Sequence, residues 1–296
     1  MTILITGGAG FIGSHLADEL VKRRAKVIVF DNLSNGQKDN INTNAIFIKG
    51  DIRNYKSLEK IKEKIDIIFH LAALTDVRES IEKPNLYFQN NVVGSFNILE
   101  FCRRHDIEKI VFTSSAAVYA ESLSPLKEDE TPKPSSPYGI QKLIVENLIK
   151  NYNETYGISF TIFRLFNVYG PRARKGVIKN LIDCLKNNKP FHLYGNGNQV
   201  RDFIYIRDAI KILLMHHKFK NEIVNVGTGK PTSINQLINY VQDMTKIKLK
   251  IIYHPSIKGE IKKSVADISK LKKKIKFKPI DIKSGIEFYL KEEKIL

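Results

Sequence analysis

Hydrophobic residues in the first half of the chain fall into short runs that alternate with amphipathic helical patterns. The runs that predict strands are TILIT (2–6), AKVIVF (25–30), NAIFIKG (44–50), IDIIFH (65–70), IEKIVFTS (107–114) and ISFTIFR (158–164). Helical periodicity follows in FIGSHLADELVKRR, NLYFQNNVVGSFNILEFCRRH and YGIQKLIVENLIKNYNETYG. Nearly continuous apolar strands are typical of a parallel sheet that is covered on both faces. The pattern therefore predicts an α/β fold with a doubly wound parallel sheet.

The pattern changes after about residue 165, where short strands and glycine turns such as YGNGNQ and VGTGKP separate the helical segments. We therefore predict two domains. The sheet domain covers residues 1–165, with a returning segment near 200–226, and a smaller α/β lobe is formed mainly by residues 166–296. Since ligands of doubly wound folds bind at the carboxyl ends of the strands, the smaller lobe is expected there.

The composition is that of an ordinary soluble globular protein, with 43% hydrophobic and 27% charged residues in 296. No apolar run has the length of a membrane span or the features of a signal peptide, so we expect a cytoplasmic protein without a membrane partner. Cys102 and Cys184 form neither a disulfide framework nor a ligand spacing. The seven histidines show no metal-ligand spacing either, so no metal is expected.

The formal net charge of +17 raises the alternative of nucleic-acid binding. However, the excess is carried mainly by lysines scattered over helix faces, as in ISKLKKKIKFKPIDIKSG. Neither a recognition motif nor an interleaved aromatic platform accompanies these lysines. We therefore expect no nucleic-acid partner, and a basic surface would instead help to attract an anionic small molecule.

The first motif with chemical content is ILITGGAGFIGSHLADEL, which predicts a strand, a glycine turn and a helix. Gly7, Gly10 and Gly13 have the spacing G-x-x-G-x-x-G, which lets a backbone approach a pyrophosphate at the helix N-terminus. The second strand ends in Asp31, 18 residues after Gly13. An acid there binds the adenosine ribose hydroxyls and disfavours the 2′-phosphate of NADP. The motif therefore predicts a Rossmann-type site for NAD.

The segment GDIRN follows the third predicted strand. Asp51 and Ile52 lie where an adenine ring could be clasped. An alternative explanation is an acidic turn in which Asp51 is the N-cap of the next helix.

A further motif, YGIQK, places Tyr138 and Lys142 four residues apart, and therefore on one face of a predicted helix. A nearby ammonium favours the charged form of a phenol, whose ordinary pKa is about 10. A downward shift of the Tyr138 pKa would give a base that works near neutral pH. The alternative is a pair of side chains on a solvated helix face.

In chain order, the motifs TGGAGFIGS, DNLS, GDIRN, HLAA, TSSAAVYA, YGIQK, FRLFNVYGPR and VRDFIYIRD resemble those of the extended short-chain dehydrogenase/reductases. Within that family the chain looks most like the UDP-glucose 4-epimerase group, and the resemblance covers nearly the whole chain. It implies an NAD-dependent isomerase of UDP-hexoses. It also implies a homodimer formed through helices at about 84–104 and 138–156, although packing within the monomer could explain much of the same apolar pattern.

The resemblance implies a role for each residue of the motif. Tyr138 would take the proton of the sugar 4-hydroxyl while a hydride moves from C4 to NAD. Lys142 would bond the nicotinamide ribose and lower the pKa of Tyr138, and Ser115 would hold or relay the proton. The 4-keto sugar would then turn over and take the hydride back on its other face. Strand alternation would turn Ser114 the opposite way from Ser115.

Binding residues are likewise implied by position. Substrate contacts are implied at Ser115, Asn167, Tyr194, Arg201 and Ser264. Asn167 and Arg201 match residues that bind the UDP diphosphate, with an ion pair to Asp202 as the alternative for Arg201. Tyr194 could stack on uracil, or be a buried strand aromatic. Cofactor contacts are implied at Gly7, Gly10, Phe11, Ile12, Gly13, Asp31, Asn32, Ser34, Asp51, Ile52, Leu71, Ala72, Ala73, Asn91, Tyr138 and Lys142.

According to the same resemblance, four residues bear on the substrate. Ala116 and Ala117 stand where related sugar dehydratases carry an acid, which favours simple inversion at C4. Ser264 occupies the position that gates the C2 substituent and is small enough for an N-acetyl group, so we expect turnover of UDP-N-acetylglucosamine as well as UDP-glucose. Ile257 stands where the resembled group usually has an arginine, which leaves the nucleotide contact open. The alternatives are another nucleotide-sugar conversion, such as uronate epimerisation, and a non-catalytic NAD-binding regulator.

Overall fold

The computed structural model describes residues 1–256 and 261–296. The chain divides into two compact units. The first comprises residues 1–120, 129–165 and 210–224, and the second comprises residues 121–128, 166–209 and 225–296. Within the described ranges, no helix combines the length and the apolarity needed to cross a bilayer.

The strands and helices alternate along the first half of the chain. In chain order the strands are β1 (Thr2–Thr6), β2 (Lys26–Asp31), β3 (Ile46–Lys49), β4 (Ile67–His70), β5 (Lys109–Ser115), β6 (Ser159–Leu165), β7 (Asn167–Tyr169), β8 (Phe191–Tyr194), β9 (Val200–Tyr205), β10 (Glu222–Val226), β11 (Pro231–Ser233), β12 (Ile251–His254) and β13 (Lys263–Ser264). The α-helices are α1 (Phe11–Lys22), α2 (Tyr55–Leu58), α3 (Val77–Glu82), α4 (Pro84–Phe88), α5 (Gly94–Arg104), α6 (Pro137–Tyr156), α7 (Val177–Lys186), α8 (Ile206–Leu214), α9 (Ile234–Thr245), α10 (Ser269–Lys274) and α11 (Ile282–Glu292).

The first unit is built on a large parallel sheet, which confirms the predicted doubly wound α/β fold. In the described part of the chain, seven strands lie in the order β10-β6-β5-β4-β1-β2-β3. β1 pairs with β2 on one side and with β4 on the other, both in parallel register. The strand order reverses at this point, and in such folds ligands bind at the carboxyl ends of the strands beside the reversal. The glycine turn after β1 therefore lies at the expected place.

The apolar runs become strands because the sheet buries them. In β2 every residue after Lys26 is buried, as expected for a strand that is covered on both faces. One core cluster joins Ile68 and Ile110 of the sheet to Ile98 of α5 and Val145 of α6. Full burial of such a side chain contributes about 1.5–3 kcal/mol. Packing therefore fixes α5 and α6 against the sheet.

The long helical pattern at 85–105 is interrupted in the structure. α4 and α5 are joined by a π-helical turn over Gln89–Val93, which buries Asn90 and Asn91. A π-helical turn inserts one residue into an α-helix and often marks a functional site. This turn directs Asn91 into the interior of the first unit.

The second unit is organised around β9. β7 and β13 pair with β9 in parallel register, and β11 pairs with it in antiparallel register. The register places Ser264 opposite Arg201. Asp202 is fully buried, and its carboxylate accepts hydrogen bonds from the backbone N–H groups of Thr228, Gly229 and Ala266. These bonds fix the turn that follows β10. A separate parallel pair is formed by β8 and β12.

Candidate active site

The glycine turn after β1 is a cradle lined by backbone. Gly7 has a φ of +72°, and a Cβ atom there would lie 2.7 Å from the backbone nitrogen of Ala72. A Cβ atom at Gly13 would lie 2.2 Å from the carbonyl oxygen of Gly7. Only glycine fits both positions.

The helix that follows this turn has an open N-terminus. α1 has Gly10 as its N-cap and receives no side-chain cap. The N–H groups of Phe11 and Ile12 therefore have no carbonyl partner within the helix. Together with the positive end of the helix dipole, these groups fit the pyrophosphate of a dinucleotide.

Asp31 ends β2 beside the glycine turn. Its carboxylate accepts hydrogen bonds from the backbone N–H groups of Ala9 (3.1 Å) and Leu33 (2.8 Å). Burial raises the pKa of Asp31, while these two bonds lower it. The carboxylate thus lies at the end of the strand next to the turn, as an acceptor for ribose hydroxyls would.

The predicted cofactor contacts Asn32, Ser34 and Asp51 lie in two connected turns. Asn32 accepts from the backbone N–H of Ser34 (2.9 Å) and donates to the Asp51 carboxylate (3.2 Å). Arg53 forms an ion pair with Asp51 at 2.6 Å, and its hydrogen bonds lower the pKa of that carboxyl. The interpretation of Asp51 as an N-cap is wrong, because the side chain of Asn54 caps α2.

Ile52 is a core residue of the first unit. It is buried, and a Cβ atom at Gly94 would lie 2.6 Å from its Cδ1 atom. Its carbonyl accepts a hydrogen bond from the side chain of Asn97 (2.8 Å). The adenine contact at Ile52 stays a prediction.

The segment after β4 is held from two sides. On one side, the Thr6 hydroxyl accepts a hydrogen bond from the backbone N–H of Ala72 at 3.3 Å. On the other, the Asn91 amide accepts from the Leu74 N–H (2.8 Å) and donates to the Leu74 carbonyl (3.0 Å). The structure thereby fixes the predicted cofactor-contacting residues Leu71, Ala72 and Ala73.

Tyr138 and Lys142 are buried on α6. Their exposed fractions are only 6% and 4%, so the interpretation as a solvated face pair is wrong. The Lys142 ammonium donates to the Thr113 carbonyl (2.8 Å) and lies 4.6 Å from the centroid of the Phe112 ring. The Tyr138 phenol forms a hydrogen bond with the Ser115 side chain. The structure thus brings the three predicted catalytic residues together in the first unit.

The pKa of Tyr138 does not show the expected downward shift. Burial raises it to about 12, and the hydrogen bond with Ser115 only partly opposes this rise. Burial also lowers the pKa of Lys142 to about 7, while the charge of Glu146 raises it. The Lys142 side chain is therefore only partly charged near neutral pH. Burial and the Ser115 hydrogen bond are the two causes that act on the pKa of Tyr138.

Two charged residues near this pair, Glu146 and Arg164, were missed by the sequence analysis. Ser114 turns away from Ser115, as predicted, and donates to the Glu146 carboxylate (2.5 Å). Arg164 binds the same carboxylate at 2.7 Å. The spacing Tyr-x-x-x-Lys-x-x-x-Glu on α6 was the available signal for Glu146.

Apart from Ser115, the candidate substrate residues lie in the second unit. The Arg201 guanidinium donates a hydrogen bond to the backbone carbonyl of Val200 (2.9 Å). Ser264 on β13 lies opposite Arg201 in the strand pairing. Asn167 is exposed on β7, and its amide donates to the carbonyl of Asp202 (3.2 Å).

Tyr194 lies on a different sheet of that unit, on β8. It is 37% exposed and stacks on His254 with 4.9 Å between ring centroids, so the interpretation as a buried aromatic is wrong. Ile257 lies outside the described residues. Among the described residues, no group of three or more histidine, cysteine, aspartate or glutamate side chains is arranged to hold a metal.

Comparison with known proteins gives consistent matches. The profile of the "NAD dependent epimerase/dehydratase family" matches residues 3–227. A Methanocaldococcus jannaschii protein, provisionally named UDP-glucose 4-epimerase, is 45% identical over 294 residues, covering 96% of each chain. The Thermotoga maritima UDP-glucose 4-epimerase structure with UDP-glucose superposes with a TM-score of 0.96 at 35% identity, covering 99% of each chain. The UDP-N-acetylglucosamine 4-epimerase of Methanobrevibacter ruminantium, in complex with UDP-N-acetylmuramic acid, gives 0.91 at 38% identity, covering 98% of this chain and 97% of that one.

Proposed function

Since the chain belongs to the NAD-dependent epimerase/dehydratase family, which confirms both the resemblance and the cofactor, we propose that it interconverts UDP-hexoses that differ in configuration at C4. The observation that carries this proposal is the buried Tyr138–Lys142 pair with Ser115 at the phenol. A non-catalytic NAD-binding protein would have no need for a buried lysine beside a buried phenol, because burial disfavours the charged forms of both.

The reaction needs a proton acceptor at the 4-hydroxyl. When bound, NAD supplies a reversible hydride acceptor for C4. Tyr138 takes the hydroxyl proton as the C4–H bond breaks, and returns it when the 4-keto sugar is reduced on its other face. Ser115 stabilises the phenolate by a hydrogen bond. With NAD bound, the charge of the oxidised nicotinamide would lower the pKa of Tyr138, and the ammonium form of Lys142 would act in the same direction; both would oppose the effect of burial.

The nucleotide has candidate ligands in the second unit. The Arg201 guanidinium and the exposed amide of Asn167 suit the oxygens of a diphosphate. Tyr194 exposes an aromatic face on which uracil can stack. Binding energy from this remote part of the substrate would retain the 4-keto intermediate while it turns over. The net charge of +17 would assist capture of the anionic substrate.

Ser264 is the proposed determinant of the C2 substituent. It is small, 8% exposed, and opposite Arg201 in the sheet register, so it lies beside the proposed diphosphate ligand. We therefore propose that the enzyme accepts both a 2-hydroxyl and a 2-acetamido group. The Ser264→Tyr variant should lose turnover of UDP-N-acetylglucosamine and retain turnover of UDP-glucose. Equal loss of both activities would contradict this assignment.

The function is tested by product analysis. Purified protein with NAD is incubated separately with UDP-glucose, UDP-N-acetylglucosamine and UDP-glucuronate, and the 4-epimers are separated by anion-exchange chromatography. We expect galacto products from the first two substrates. Product from UDP-glucuronate alone would identify a uronate epimerase instead. The Tyr138→Phe variant is the matched control and should lose about 10²–10⁴-fold in kcat, the usual contribution of an acid–base group. Intact turnover in that variant would refute the mechanism.

A further inference from the structure

A third buried polar side chain continues the row of Tyr138 and Lys142 along α6. Glu146 is four residues beyond Lys142, and therefore on the same helix face, and is fully buried. Its Oε1 atom accepts from the Arg164 Nε atom (3.0 Å) and its Oε2 atom from the Arg164 Nη2 atom (2.7 Å). The Ser114 hydroxyl donates to Oε1 as well. The carboxylate is thus fixed in place by three donors.

The surroundings of Lys142 supply little negative charge. Besides Tyr138 on its own helix, Lys142 faces the Phe112 ring and the Thr113 carbonyl on β5. His70 on β4 also faces it, but burial lowers the pKa of His70 to about 3, with a further contribution from the charge of Lys142. Of these titratable neighbours and Glu146, only Glu146 is a carboxylate.

The partner of Glu146 is itself enclosed. Arg164 is 1% exposed, and its guanidinium lies 4.7 Å from the centroid of the Tyr119 ring. A buried ion pair contributes little to stability, because the cost of removing both charges from water offsets their attraction. The fold alone therefore does not account for this pair.

We propose that Glu146 is a positioning residue for the Tyr138–Lys142 pair: anchored by Arg164 and Ser114, its carboxylate increases the fraction of Lys142 that is an ammonium during turnover. The inference rests on the proposed function, since the ammonium matters only if Tyr138 must lose a proton. Glu146 acts here through its charge, one helical turn from Lys142.

The physical basis of this proposal is that two opposing effects set the pKa of Lys142. Burial lowers the Lys142 pKa to about 7, and the negative charge of Glu146 opposes this effect. Without that charge the pKa of the lysine would fall further, and a smaller fraction of the lysine would be charged near neutral pH. A neutral lysine no longer stabilises the phenolate of Tyr138.

The test compares pH profiles of kcat from pH 6 to 9 for the wild type, Glu146→Gln and Glu146→Asp. In the wild type, kcat should fall as the pH rises through the Lys142 pKa, because the ammonium is lost. In Glu146→Gln we expect the midpoint of this fall to lie at a pH lower by about one unit. Activity at pH 8 should then drop on the order of tenfold, and activity at pH 6 much less. Glu146→Asp keeps the charge and should restore the wild-type midpoint. A profile in Glu146→Gln that is lowered evenly at every pH would overturn the proposal.

A second variant guards against misfolding. Glu146→Gln leaves Arg164 buried without its partner, which typically destabilises a protein by about 3–5 kcal/mol. The double variant Glu146→Gln/Arg164→Met replaces the whole pair by neutral side chains, a change that is often neutral or stabilising. If Glu146 only supports the fold, this variant will have the wild-type midpoint. If Glu146 acts on Lys142, the midpoint will still move to lower pH.

A second measurement separates this inference from the proposed function. The pH dependence of the NAD dissociation constant is measured for the wild type and the double variant, because Lys142 is proposed to bond the nicotinamide ribose as a donor. If the midpoint of this pH dependence lies at lower pH in the double variant than in the wild type, the role of Glu146 is supported without any turnover. Identical midpoints refute that role. If the wild type converts no UDP-sugar, only the proposed function fails.

Discussion

At the scale of single residues, His70 shows how burial decides protonation. Its ring nitrogens lie 2.7 Å from the Thr6 hydroxyl and 2.8 Å from the Ser95 hydroxyl. The ring stacks on Phe112, with 5.6 Å between centroids. Burial is the main cause that lowers its pKa to about 3. The neutral ring therefore holds Thr6, which in turn holds the backbone of Ala72.

This environment predicts an acid sensitivity that depends on His70. An unfolded histidine has a pKa of about 6.5. Between that value and about 3, the unfolded state binds one more proton than the folded state. The free energy of unfolding therefore falls as pH decreases through this window, by up to about 1.4 kcal/mol per pH unit. Urea denaturation at pH 7, 6 and 5 should show a smaller pH slope in His70→Gln than in the wild type.

The control for this prediction is His217→Gln, since His217 is exposed. It should keep the wild-type slope. A slope in His70→Gln equal to that of the wild type would mean that His70 does not titrate on unfolding as proposed.

Residue patterns revealed part of the site in advance. The spacing of Tyr138 and Lys142 is a local signal, and strand alternation correctly separated Ser114 from Ser115. The direction of the Tyr138 pKa could not be foreseen, because the depth of burial depends on the strands packed against α6. Arg164 was missed for a similar reason, since its partner Glu146 lies on another element.

At the scale of elements, the turn between β1 and α1 was predictable because strand, glycine turn and helix are all encoded within 20 residues. The π-helical turn at Gln89–Val93 was not foreseen. It adds one residue to a helical period, and its side chains are fixed by distant partners: the Asn91 amide bonds Leu74 and also Gln141 of α6 (3.1 Å).

Gly13 and Gly157 allow a matched test of the cofactor cradle, because Gly13 lies in the cradle whereas Gly157 only caps a helix. A Cβ atom at Gly13 would meet the Gly7 carbonyl at 2.2 Å, so Gly13→Ala must displace the turn and should weaken NAD binding by about tenfold or more. Gly157 ends α6 with a φ of +73° and has open space around it. Gly157→Ala should cost about 1–2 kcal/mol in stability and leave NAD affinity unchanged. Calorimetric titration measures the NAD affinity, and thermal unfolding measures the stability. Equal NAD affinity in Gly13→Ala and the wild type would contradict the proposed role of this turn as a cofactor cradle.

At the scale of the whole molecule, the large sheet could be predicted better than the second unit. The sheet strands are long apolar runs with helices between them. By contrast, β13 has two residues and β7 and β11 have three each, which is too short for a periodic signal. These strands exist because they pair with β9 from distant parts of the chain. The partnership of Ser264 with Arg201 could therefore not be read from the sequence.

The exposed apolar side chains of α4, α5 and α6 lead us to propose a homodimer. Leu86, Phe88, Phe96, Ile140 and Tyr156 are each between 40% and 51% exposed. Exposed apolar side chains grouped on neighbouring helices are typical of interaction surfaces. A second copy of the chain is the proposed partner, because the resemblance implies a dimer through this helix pair. Sedimentation at micromolar concentration should give twice the 33.9 kDa of one chain.

Phe96 offers a direct test of this dimer. Phe96 is 44% exposed and packs edge-on against Tyr152 of α6, with 6.4 Å between centroids, so it belongs to the surface of the helix pair. Phe96→Lys would place a charge in the buried interface and should weaken the dimer by about 30-fold or more, which is 2 kcal/mol or above for a central aromatic. Ile247→Lys is the matched control, because Ile247 is equally exposed (46%) but lies outside these helices. If both variants sediment like the wild type, another surface forms the dimer; if the wild type is a monomer, the apolar helix pair has a different role.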